Sequence, residues 1–122
     1  MLAFCIVATG IHFADNVLRF DGYSNPEGLT PGEAILFWLA QTALGLVGGF
    51  VPWTLGRWLL VVYGGLGLLG LGHYALPGAV ELDLFMHATI ILEGVAGLSL
   101  IAWVLADFRS KHPTGRASSD NP

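Results

Sequence analysis

Charge is what this chain has least of. Asp, Glu, Lys and Arg make up 11% of its 122 residues, against about 25% in a soluble domain. Between Phe37 and Ala106 the only charged residues are Arg57, Glu81, Asp83 and Glu93. A chain that is 54% hydrophobic with a mean hydropathy of +0.67 cannot cover itself with polar side chains, so lipid must be its solvent. Basic residues are scarcer than acidic ones. The formal charge of −4 excludes the basic face that nucleic-acid binding requires. Cysteine is nearly absent as well. The single Cys5 excludes an internal disulfide and any thiolate-rich metal centre. It is read as a small buried hydrophobe near one end of the first helix.

Leu2-Ala3-Phe4-Cys5 has the outline of a lipoprotein cleavage box. Phe4 is too large for the position before the cysteine, and neither a basic region nor a small-x-small site precedes His12. The residues from Met1 onward are therefore read as a membrane helix.

Apolar stretches fill the rest, and punctuation residues divide them into four helices at about 2–20, 31–49, 53–75 and 82–108. Asp21 to Gly28 is a connection by its turn residues. Thr30-Pro31-Gly32-Glu33 has the pattern of a capping box with proline in the first helical turn. Pro52 and Thr54 open the third helix, Leu76-Pro77-Gly78 closes it, and the fourth starts near Glu81 to Asp83. The expected fold is an all-α integral membrane protein: a four-helix, up-down transmembrane domain over 1–109 and a disordered tail over 110–122.

Arg57, Arg109, Lys111 and Arg116 fall on one side of that threading. Asp21, Glu27, Glu33, Glu81 and Asp83 fall on the other, with Arg19. The positive-inside rule then predicts a multi-pass protein of the plasma membrane with both termini cytoplasmic. Glycines recur at packing spacing on helices 2, 3 and 4, as in Gly45-Leu46-Val47-Gly48-Gly49. They imply a tight bundle, a homo-oligomer, or packing into a larger membrane complex. Gly65-Leu66-Gly67-Leu68-Leu69-Gly70 has the spelling of a dinucleotide fingerprint, but no strand precedes it.

The same threading puts His12, His73 and His87 in one half of the bilayer. Ionisable residues at membrane depth are costly and mark candidate sites. His12, Asp15, Asn16 and Arg19 share one face of helix 1 at i, i+3, i+4 and i+7, and Asp83 and His87 share a face of helix 4. Imidazole and carboxylate together suit a transition metal. The candidate ligands are His12, Asp15, His73, Asp83 and His87, or His12, His73 and His87 toward a haem iron. The same groups suit proton exchange with a quinol or a lipid head group. Deeper in the bilayer, Glu93 and Gln41 lie at similar depth. They are read either as a proton relay or as a hydrogen-bonded lock between helices. Three functions follow from the residues alone. They are an outward-facing metal or haem site, a structural or assembly subunit, and a proton-linked transporter element acting as an oligomer. No residue is assigned a catalytic role beyond the Glu93–Gln41 relay.

Overall fold

The computed structural model describes residues 1–77 and 82–111; the segment 78–81 and the tail 112–122 lie outside the described residues. The place of Glu81 and the expected disorder of most of the tail fall there. The described residues are all-helical, with four helices: α1 (Leu2–Leu18), α2 (Pro31–Phe50), α3 (Trp53–Gly67) and α4 (Leu84–Lys111). Three spans are long and apolar enough to cross a membrane: Pro31–Phe50, Thr54–Ala75 and Leu84–Ser110. α1 has 17 residues, at the lower end of what a bilayer needs.

The helix ends have local causes. At α2, Thr30 Oγ1 accepts the Glu33 N–H at 3.3 Å and the Glu33 carboxylate accepts the Thr30 N–H at 2.8 Å, completing the capping box with Pro31 behind it. At α4, the Asp83 carboxylate accepts the Met86 N–H at 2.9 Å. That cap places the helix start at Leu84, two residues beyond the expected position. α1 stops at Leu18 and turns through a short 3₁₀ segment, Phe20–Gly22. The third span departs most from expectation. It is α-helical only to Gly67 and continues as a 3₁₀ helix over Leu68–Ala75. The 3₁₀ form climbs about 2.0 Å per residue instead of about 1.5 Å. It stretches this glycine-rich segment toward the connections and carries His73 past the level that an α-helix would reach.

α3 packs against α2 and α4, and α1 packs against α4 and α2, while α1 and α3 touch only lightly across the middle. Backbones come closest where glycines face each other. A Cβ on Gly64 would lie 2.8 Å from the Gly97 carbonyl oxygen, so α3 and α4 cross there with no room for a side chain. Gly45 and Gly48 are likewise covered from within, by Tyr63 and by Gly56 with Leu59. An apolar core of Cys5, Ala8, Leu60, Tyr63, Ala96, Leu100 and Val104 fills the end near the chain termini. There Arg57 pairs with Asp107 and lies over the Phe108 ring at 4.7 Å. A smaller cluster of Tyr23, Leu82, Met86 and Ile90 lies at the opposite end. Outward-facing Leu36, Phe50, Leu55, Phe85 and Leu98 are exposed, an arrangement that fits a lipid surround and not water.

Candidate functional site

α1 buries Cys5, Ala8, Thr9, His12 and Asn16, which recur every three or four residues along one face. α4 buries Met86, Ile90, Glu93, Ala96, Leu100 and Val104 in the same rhythm. Where the two faces meet, His12 Nε2 lies 3.5 Å from Glu93 Oε2, with both side chains at most 2% exposed. His12 Nδ1 lies 3.5 Å from Thr89 Oγ1. The 3₁₀ segment supplies the third wall. Gly70 stands against the Glu93 carboxyl so closely that a Cβ there would overlap it. His73 meets His12 edge-on with ring centroids 5.5 Å apart.

His73 is held on both ring nitrogens. Its Nδ1 lies 2.6 Å from the Ser24 carbonyl oxygen, which makes Nδ1 the donor. Nε2 then accepts from Asn16 Nδ2 at 3.3 Å, and the same amide donates to Asn25 Oδ1 at 3.2 Å. The 1–2 connection is thus tied to α1 and to the third span through one imidazole. Tyr23 also turns inward from that connection. Its ring packs on His12 and His73 with centroids 5.7 and 5.1 Å away. Its hydroxyl donates to Asp15 Oδ2 at 2.5 Å and lies 3.0 Å from Thr89 Oγ1. Burial, reinforced by the bond to the Asp15 carboxylate, pushes the Tyr23 phenol above its ordinary range.

At the rim Arg19 grips both oxygens of Asp15, at 2.7 and 2.5 Å, and reaches across to Asp83. The Met86 backbone N–H, aided by the Arg19 guanidinium, holds the Asp83 carboxyl below the usual aspartate range. The rim therefore joins the end of α1 to the start of α4.

The candidate residues from the sequence divide into two groups. His12, His73, Asn16 and Glu93 come together; His87 does not. His87 stacks on Tyr74 with centroids 5.5 Å apart, and its Nδ1 lies 3.1 Å from the Tyr74 hydroxyl, away from the other two imidazoles. Asp15 and Asp83 are occupied by Arg19. Among the described residues no three His, Cys, Asp or Glu side chains gather as metal ligands would. Gln41 is buried and its amide faces the Glu93 carboxyl. Both Glu93 oxygens, both Gln41 amide atoms and Asn16 Oδ1 are buried without a hydrogen-bond partner among the described residues. Each such atom costs about 1–3 kcal/mol. Orphaned polar atoms beside a cavity are what a site for a polar group leaves behind.

That cavity opens between α1, α2 and the third span, with a volume of about 430 Å³, within the range of ligand pockets, about 300–1,000 Å³. Phe13, Leu29, Ala34, Phe37, Leu66, Leu69 and Leu76 form its apolar walls. His12, Asn16, Asn25, His73 and Glu93 form its polar edge. A molecule seated there would present an apolar body to the walls and a hydrogen-bonding head to imidazole, amide and carboxyl. Comparison of the chain with protein-family models, curated proteins and solved structures finds no match.

Three participants were not among the candidates: Tyr23, Asn25 and the Ser24 carbonyl. Thr89 also contributes a hydroxyl to the site. The buried rhythm of α4 could have found Thr89, since it lies four residues before Glu93. Nothing in the turn residues of the 1–2 connection marks Tyr23 as inward-facing.

Proposed function

We propose that this is a four-span protein of the plasma membrane that binds a lipid-soluble molecule with a hydrogen-bonding head, of quinol or phenol type. His12 and Glu93 exchange a proton with that head. All four helices cross the bilayer in an up-down bundle, with the Arg57 and Arg109 side cytoplasmic by the positive-inside rule. The observation that carries the reading is the cavity itself, which has apolar walls and ends on a buried His12–Glu93 pair. Imidazole and carboxyl facing each other at low dielectric form a donor–acceptor pair that can share one proton between them and pass it on, the pair changing by one charge when it does.

The metal reading is less well supported, because His73 has both nitrogens engaged and His87 points elsewhere. For the assembly-subunit reading, Gly45, Gly48, Gly64 and Gly97 are used within the chain, while Gly65 and Gly72 face open space. The transporter reading shares Glu93 with the present one, but it needs a path past Gln41.

The test is decylubiquinone binding to protein in lipid nanodiscs, read as protein-dependent retention over empty discs. Wild type should retain the quinone. His12→Leu should weaken retention about tenfold, the value of one hydrogen bond. Retention equal to that of empty discs contradicts the reading.

A further inference from the structure

Five side chains from three parts of the chain lie in a row from the end of the cavity to the rim, hydrogen-bonded from His12 outward and with Glu93 facing His12 at its inner end. Glu93 Oε2 lies 3.5 Å from His12 Nε2, and His12 Nδ1 lies 3.5 Å from Thr89 Oγ1. Thr89 Oγ1 lies 3.0 Å from the Tyr23 hydroxyl, which lies 2.5 Å from Asp15 Oδ2. Glu93, His12, Thr89 and Tyr23 are at most 6% exposed, and Asp15 is 10% exposed at the rim. Each interior member can donate one hydrogen bond and accept another, as a proton relay requires. Packing alone would be satisfied by the Tyr23 ring. Its hydroxyl instead bridges a carboxylate and a threonine.

We propose that Tyr23 and Thr89, with His12, conduct protons between Glu93 at the cavity and Asp15 at the rim. The inference rests on the reading of His12–Glu93 as a proton-exchanging pair. In the loaded state Glu93 donates its O–H to His12 Nε2, and His12 Nδ1–H donates to Thr89. The Thr89 hydroxyl donates to the Tyr23 oxygen, and Tyr23 donates to the Asp15 carboxylate. Transfer breaks each O–H or N–H bond as the next one forms. It leaves Glu93 as the carboxylate and Asp15 as the acid, and no electrons move. Thr89 also donates to the Met86 carbonyl oxygen at 3.0 Å. Rotation of that hydroxyl between Met86 and Tyr23 opens and closes the series. Arg19 and, through it, Asp83 face Asp15 at the exit, and His73 faces His12 from the third span. Arg19, which holds both Asp15 oxygens and reaches Asp83, stands between the end of the series and the rim.

The test is hydrogen–deuterium exchange of the Glu93 acid in intact protein in nanodiscs. It is read from the carboxylic C=O infrared band that Glu93→Gln removes. Tyr23→Phe and Thr89→Val should slow exchange about a hundredfold, the scale of one positioned proton-transfer group. Thr89→Ser, which keeps the hydroxyl, should exchange at the wild-type rate. Unchanged exchange in both Tyr23→Phe and Thr89→Val overturns the proposal, as does the absence of a Glu93 acid band in wild type. Neither Tyr23 nor Thr89 lines the cavity, so decylubiquinone retention is an independent readout. Slowed exchange in a protein that retains no quinone would uphold the conduit and discard the ligand.

Discussion

The two ends of the bundle are built from the same helices by opposite means. Near the chain termini the interior is apolar and filled: Leu60, Tyr63, Leu100 and Val104 interlock, and the charges there, Arg57 and Asp107, pair with each other. Toward the connections the same helix faces carry His12, Asn16, Thr89 and Glu93, and beside them lies a cavity with unpartnered polar atoms. Close packing of glycines serves both ends. At Gly64 and Gly97 it brings two backbones together, whereas at Gly70 it makes space for a carboxyl. One end holds the bundle together, and the other gives up stability to hold a site.

That contrast can be broken first at the filled end. Gly97→Leu would drive a side chain into the Gly64 carbonyl and should prevent α3 and α4 from closing. Loss of a folded monodisperse peak in detergent is the expected outcome, and normal thermal stability would refute the close crossing. Leu100→Ala, in the same core and wholly buried, should cost about 2–5 kcal/mol, as large-to-small core changes do. Denaturant unfolding in mixed micelles would measure it.

At the site end, substitutions should move function more than stability. Gly70→Ala should push the Glu93 carboxyl off His12, cutting quinone retention about tenfold with a smaller thermal shift than Leu100→Ala. Gln41→Leu should have the opposite sign. It removes a buried amide without a hydrogen bond and should stabilise by about 1 kcal/mol. Destabilisation would mean that Gln41 holds a partner the account has missed.

The smallest effect is at the rim. The Asp83 carboxyl is depressed by the Met86 N–H and by Arg19. Its contribution is therefore complete above the ordinary aspartate pKa, about 3.9, and is lost as pH falls through the lower folded value. Asp83→Asn should lose that contribution at neutral pH and converge on wild type on the acid side of about pH 4, which flattens the acid limb of the thermal-stability profile. An unaltered acid limb would remove Asp83 from the account.

Much of this was legible from residue types and spacing. The capping box at Thr30 and Glu33 needs only local chemistry, and the scarcity of charge already implies lipid. Counting residues at a fixed rise puts His12 and His73 toward the same end of the helices, but it sets Glu93 apart from His12, which it meets, and misses the 3₁₀ stretch that shifts His73. Rotation about the helix axis is what counting did not provide. His87 shares a face with Asp83, but the buried face of α4 runs through Met86, Ile90 and Glu93, and His87 lies beside it. Assigning that apolar rhythm first would have separated His87 from His12. The 3₁₀ stretch at Leu68–Ala75 and the inward turn of Tyr23 depend on tertiary partners, Glu93 for one and Asp15 and Thr89 for the other. Periodicity carries no trace of either.

The most direct test of the site is photolabelling in nanodiscs with an azido-substituted short-chain quinone, mapped by mass spectrometry. The account predicts adducts concentrated on Phe13, Leu29, Phe37, Leu69 and Leu76 around the cavity, suppressed by excess decylubiquinone. Adducts spread over lipid-facing Leu36, Leu55 and Leu98, without competition, would contradict it.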